Sequence, residues 1–372
     1  MKKLTILFFT SLLCLSLHAE KTYRNAPYQD IRWLGRGNTG VAVVRDASAM
    51  FYNPAGLGRS GRYAFDFGNF AGGISESTYG NSKAVSTVGS SSSSLSDKFS
   101  PFLGEPLSVN AQLFPAFAVP FVGLGAFFTL EGRAEYRNPV SPEFSFKERD
   151  DVGLIGGIGV PVFPGLYVGA SFRYFKRRVI EEEITGSSLL TLTASDLTDY
   201  ARRGSGYGLN VGAQFDLPLA ENSSLNFGFS VEDLGNTRIH SSKEDGPLDQ
   251  DQSINLGVAY SFESDHLGAK ILFDARNLGE GDYYSTGKLL YQGIEINLAG
   301  LDLRGGFYHG YWSAGVSIRW IPIMRIDFTS YAEELDSNLG FRANRVYMVG
   351  INMGMSLESL GGKKQKYSLD DY

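Results

Sequence analysis

Reactive side chains are scarce in this 372-residue chain, which has four histidines and one cysteine. His18 and Cys14 fall in an apolar leader, which leaves His240, His266 and His309 for acid–base work. None has metal-ligand spacing, and His309 with Ser313 is the one serine–histidine pair worth naming. Such a site also needs a polar orienter beside the imidazole. Surface or interface histidines are the simpler reading, so no catalytic residue, metal ligand or cofactor is expected and the chain is read as a non-enzyme. The glycines near Gly35 are no dinucleotide fingerprint, because no strand precedes them and no acid follows at the distance a βαβ unit requires. One feature with a definite physical consequence is Asn53-Pro54-Ala55. Proline fixes its own φ and pushes the residue before it out of the α region, so the chain must bend there.

The bend closes a glycine-led stretch from Gly35 to Leu57, too small and too glycine-rich to be a domain. Before it, Met1-Lys2-Lys3, an apolar run from Leu4 to Leu17 and Ala19 read as a secretory signal peptide, residues 1–19. Cys14 follows Leu13 where a lipoprotein signal wants a small residue, which argues against lipidation. Cleavage after Ala19 removes the one cysteine, and with it any disulfide or thiolate metal site. It also removes Lys2 and Lys3 and no acid, so the net charge moves from -6 to -8, which argues against nucleic acid as a partner.

Forty-five glycines, 26 phenylalanines and 20 tyrosines suit strands with close backbones and aromatic girdles. No apolar run after the leader approaches the ~18 residues of a helical span. Instead the chain alternates with period two. Tyr207, Leu209, Val211, Ala213, Phe215 and Leu217 share one face and Gly208, Asn210, Gly212, Gln214 and Asp216 the other. Fourteen candidate strands follow from such runs between 62 and 357, the second weakened by Pro115. Their connections alternate long and short. The gaps 73–106, 132–150, 180–205 and 234–251 are long and those after each even strand are tiny, as in an outer-membrane barrel and unlike a soluble sandwich. Parity places both chain ends on the short-turn side, the periplasm, and the long loops outside. Leu189–Tyr200 is predicted as a short helix in one of them. Arg173, Glu232, Asp274, Arg276, Arg304, Arg319, Arg325 and Asp327 fall on inward faces with mixed signs, which favours pairing around a plug.

Gly35 to Leu57, with its Asp46-Ala47-Ser48 and its closing Asn53-Pro54-Ala55-Gly56-Leu57, resembles the amino-terminal hatch of FadL-type long-chain fatty-acid transporters. The run Leu303–Val316 and Tyr331–Leu335 looks like the end of barrels in the same superfamily. The resemblance implies an all-β transmembrane barrel of about 14 strands, residues 61–357, with a periplasmic hatch at 20–60 and a periplasmic tail at 358–372. It implies an outer-membrane location in a Gram-negative-type envelope, outer-membrane lipid as surroundings, and passive uptake of a hydrophobic small molecule such as a fatty acid. Phe51, Asn53, Pro54, Ala55 and Leu57 would then be hatch and ligand residues. Arg45, Asp46 and Ser48 would make the polar contacts between hatch and barrel. Arg45 departs from a family pattern that is small and apolar there. Similar barrels also act as scaffolds or carriers for a secreted or surface protein, as in type IX secretion-like systems, and the acidic outer loops and the charged tail Lys363-Lys364-Gln365-Lys366 fit that protein partner as well.

Overall fold

The computed structural model describes residues 27–358, except 61, 84, 86–93, 139–140, 194, 244, 266, 279–285, 322 and 337–338. The leader, Ser90–Ser93, His266 and the tail after 358 lie outside the described residues.

Alternating sequence becomes strand throughout. In chain order these are β1 (Arg62–Ser75), β2 (Leu107–Leu113), β3 (Ala116–Val119), β4 (Val122–Arg137), β5 (Glu143–Phe163), β6 (Leu166–Thr185), β7 (Arg202–Ala220) and β8 (Ser223–Glu232). They continue as β9 (Ile239–His240), β10 (Ser253–Glu263), β11 (Leu267–Leu278), β12 (Leu290–Leu298), β13 (Leu301–Tyr308), β14 (Tyr311–Ile321), β15 (Met324–Glu334) and β16 (Ala343–Glu358). Neighbours pair antiparallel, and β16 returns to pair β1, so the sheet closes on itself. β2 and β3 both lie between β1 and β4 as two halves of one wall strand, and β9 only extends the edge of β7. The barrel therefore has 14 wall strands.

The break in the second wall strand falls at Phe114-Pro115, where Pro115 has no N–H for the ladder. Phe114 N instead donates to Asn69 O, and Pro115 O accepts from Ala126 N, both at 3.0 Å. Beside the break the register of β1 slips between Asp66 and Gly68.

The predicted faces hold. Tyr207, Phe215, Phe229 and Val258 are exposed on the outer wall, while Asn210, Gln214, Ser230 and Asn255 point inward and are buried. The short turns remain tight; at the opposite end His309-Gly310, with φ of 48° and 80°, makes the paired left-handed turn of a two-residue hairpin. Three expectations about the long loops need correction. β4 to β7 continue past the expected strand ends, so the gap 132–150 shrinks to 138–142 and 180–205 to 186–201. The predicted helix over Leu189–Tyr200 is two 3₁₀ turns, Gly186–Leu190 and Asp196–Tyr200. The helix Leu95–Phe99 packs with them against Tyr136, Phe144 and Ile184, covering the outward side of the protruding hairpins.

Candidate functional site

The lumen is filled by residues 27–60. Two short helices, Ile31–Gly35 and Ala49–Tyr52, and a 3₁₀ turn, Pro54–Gly58, carry this segment around the inside of the wall. Asp30 caps the first helix, its carboxylate accepting from Arg32 N at 2.9 Å. The same carboxylate pairs with the Arg32 guanidinium, which also reaches Asp46 at 2.5 Å. Trp33 lies between Arg32 and Arg36, 4.5 and 3.7 Å from its ring, and its indole N–H donates to Ser48.

Polar side chains of the wall meet the segment's backbone around most of the circumference. Asp274 accepts from Gly40 N and Val41 N at 2.7 and 3.1 Å. Ser313 accepts from Gly37 N, and Thr329 donates to Ile31 O. Ser171 and Asn210 both donate to Met50 O, at 2.6 and 3.2 Å. Where the backbones come closest the wall carries glycine. A Cβ at Gly169 would strike the Pro54 carbonyl, one at Gly228 the Val41 carbonyl, and one at Gly306 the Arg36 and Gly37 backbone.

Of the inward charges picked out from sequence, all but Asp274 meet an opposite charge. Arg36 and Arg304 each hold Glu295 at 2.8 Å. Arg276 bridges Glu232 and the Asn38 carbonyl, both at 3.1 Å. Arg173 pairs with Asp233, Arg319 with Asp302 and Arg325 with Asp327. Mixed signs around a filled lumen are thus satisfied by one another and by the segment, as buried charges must be.

The residues singled out from sequence fall into three groups. Asn53 is fully buried, and its amide N–H groups face the carbonyls of Val41, Ala213 and Phe229 at 2.8, 3.0 and 3.2 Å; its oxygen caps the 3₁₀ turn at Ala55 N. Pro54, Ala55 and Leu57 pack that turn onto β5, β6 and β7. Phe51 stands apart, in an aromatic cluster with Tyr28 (4.9 Å), Phe114 (5.2 Å) and Phe127 (5.3 Å). Of the polar trio, Arg45 reaches the wall at Glu263, 3.4 Å away. Asp46 and Ser48 turn back into the segment, to Arg32 and Trp33. His309 stacks on Tyr308 at 4.1 Å, while Ser313 serves the segment's backbone. Tyr28, Phe114 and Glu295 carried no motif; Phe114 was signalled only by the proline after it.

Three cavities lie along the inner face of β2 and β3. One of about 110 Å³, at the long-loop end, is lined by Ser108, Asn110, Arg149, Arg177 and Glu333. A pinch of about 20 Å³ between Asn110, Gln112, Tyr331 and Tyr28 follows. Beyond Tyr28 and Phe114 a cavity of about 70 Å³ opens toward the short-turn end, lined by Ala64, Ala118, Met324 and Met355 with Asp30, Arg32 and Asp46. Ligand sites usually enclose about 300–1,000 Å³, so each of the three is below ligand size, and Tyr28 and Phe114 stand between the second and the third.

Fold and site together define a closed transmembrane barrel whose own N-terminal segment fills its lumen. No family model and no curated protein matches the chain. Among solved structures it is similar to the toluene transporter TbuX of Ralstonia pickettii, with 13% identity, 90% of this chain and 99% of that chain covered, and a TM-score of 0.49. It is also similar to the toluene transporter TodX of P. putida (14%, 88% and 97%, 0.46) and to a Pseudomonas aeruginosa FadL homologue (11%, 89% and 98%, 0.43). At such identities no residue's role transfers.

Proposed function

We propose that the chain is an outer-membrane channel for passive uptake of small hydrophobic molecules, with residues 27–60 as its hatch and its short turns in the periplasm. One observation carries this reading: three cavities in series follow one wall strand through the barrel, and they are interrupted where the hatch's Tyr28 and Phe51 meet Phe114 at the break in that strand. An apolar solute suits the phenyl rings of Phe51 and Phe114, which can part around it without leaving a polar group unpaired; moving Tyr28 also breaks the hydrogen bond its hydroxyl accepts from Asn69 at 3.2 Å. The Asn53-Pro54 bend is the fixed end of the hatch in this scheme, held by three carbonyls, and the moving end is the stretch around Tyr28. Toluene transporters are among the similar structures.

The test is uptake of a fluorescent hydrophobic probe by cells making the chain. Phe114→Ala opens the gate and should raise uptake several-fold over wild type; Phe114→Trp should lower it toward that of cells without the chain. Uptake equal in all four would sink the channel reading.

One observation favours the scaffold reading. The apolar residues of the long loops, Leu95, Phe99, Leu189 and Leu197, are buried in a closed cluster and line no capture groove. A scaffold predicts indifference to both Phe114 variants and a protein retained at the long-loop end.

A further inference from the structure

On the outer wall the apolar belt of β6 and β7 ends in a defined row. Phe172 and Leu209 face each other, exposed, and next toward the long loops stands Tyr174 opposite Tyr207, with ring centroids 5.0 Å apart. Amphipathic rings mark the headgroup level of a membrane. From Leu166 to Tyr174 the strand has the ~9–11 residues needed to cross the hydrocarbon core.

The next outward positions are cationic. Lys176 lies opposite Ser205 and Arg178 opposite Arg203. β9 sets His240 against the other side of Ser205, which puts Arg238 on the same outward face, two residues nearer the tyrosines. Lys176, Arg203, Arg238 and His240 are all exposed. Arg178 is the exception, tied to Asp150 at 2.7 Å and to Glu148. Among the described residues Lys176, Arg203 and Arg238 make no ion pair, whereas Arg173 and Arg177, facing inward from the same strand, are paired with Asp233 and Asp151. With strands about 4.8 Å apart and ~3.3 Å per residue, three cations from three elements fall within roughly 15 Å of one another. They sit on the lipid side of the wall.

We propose that Lys176, Arg203 and Arg238, above the Tyr174–Tyr207 pair, bind the phosphate-bearing headgroup of a membrane lipid in the leaflet at the long-loop end. The acyl chains of that lipid would lie down Phe172, Leu209 and Ile158, exposed below the tyrosine pair. These three cations meet no anion among the described residues, and lipid phosphates are the anions a membrane offers at that height. Lipid recognition here is independent of what the lumen passes, and lipid A as the ligand rests on the proposed orientation with the long loops outward.

The test uses the full chain in dodecyl maltoside micelles, following its thermal unfolding against added lipid A, dephosphorylated lipid A or inorganic phosphate. Lipid A should raise the unfolding temperature of the wild type, and the other two should not. The triple variant Lys176→Gln, Arg203→Gln, Arg238→Gln should need roughly 100-fold more lipid A for the same rise, at about fivefold per cation. The charge-keeping triple Lys176→Arg, Arg203→Lys, Arg238→Lys should respond as wild type. The site is overturned by an unchanged response in the glutamine variant, by loss of response in the charge-keeping one, or by an equal response to dephosphorylated lipid A or to phosphate alone.

Discussion

Asn53 shows how one side chain can hold two layers together. Its amide faces the Val41 carbonyl in the segment and the Ala213 and Phe229 carbonyls in the wall, so removing it strands buried acceptors on both sides. Asn53→Ala should cost about 1–3 kcal/mol, the penalty for buried polar groups left unsatisfied. The expected readout is protease cleavage within residues 27–60 while the heat-resistant barrel band persists; a segment as protected as in the wild type would show the amide to be dispensable. Glu295 is the sharper case. It is the buried partner of both Arg36 and Arg304, and its loss leaves two guanidinium groups without their shared carboxylate. Glu295→Ala should cost roughly 3–5 kcal/mol, measured as a lower denaturant midpoint. Asn210 belongs with these two. A lumen-facing position in a water-filled barrel would tolerate change, but here Asn210 donates to Met50 O and accepts from Asp233 N, so Asn210→Ala should destabilise as Asn53→Ala does.

At the scale of elements, segment and wall fit because the wall's inner face is bare where the segment's backbone passes. Gly228 of β8 leaves no room for a Cβ against the backbone of Val41 and Ala42. Gly228→Val should therefore expel the segment around 40–44 without opening the barrel, whose ladder closes through β16 and β1 with no help from it. Faster hydrogen exchange confined to 36–48, with exchange in β7, β8 and β10 unchanged, is the expected result. Matching losses in the strands would instead make the segment part of the barrel's own stability. The wall strand split into β2 and β3 is the complementary case. Its break brings Phe114 against both Tyr28 and Phe51, so a defect in the ladder becomes the wall side of the proposed gate.

The whole molecule is organised by its two solvents. Val211 and Phe229 lie on the apolar outer face of β7 and β8, near mid-height. Arginine at either should cost roughly 2–4 kcal/mol, the range for a cation at the midplane of a barrel. Phe341, on the loop after β15 and 73% exposed, should accept a cysteine without penalty. In intact cells Phe341→Cys should react with a membrane-impermeant maleimide, and Glu221→Cys, in the turn after β7, only after the outer membrane is breached. The reverse pattern would invert the proposed orientation.

From sequence alone the barrel was legible, and so was the count of its wall strands. Period-two alternation is a local property, set by which solvent each face meets, and the long–short rhythm of the connections follows from antiparallel closure. The bend at Asn53-Pro54 and the mixed inward charges were legible for the same reason, since proline's ring and charge burial act on single residues. Longer hairpins in β4 to β7 were missed because their outward positions above the membrane, such as Tyr136, Phe144 and Ile184, are covered by loops distant in sequence. The partners of each lumenal group were equally out of reach. That Glu295 serves Arg36, 259 residues away, or that Asp274 holds Gly40 and Val41, depends on how far the segment winds around the wall before it turns. Local pattern tells which face a residue takes; only the closed barrel, with the segment inside it, decides which residue stands opposite.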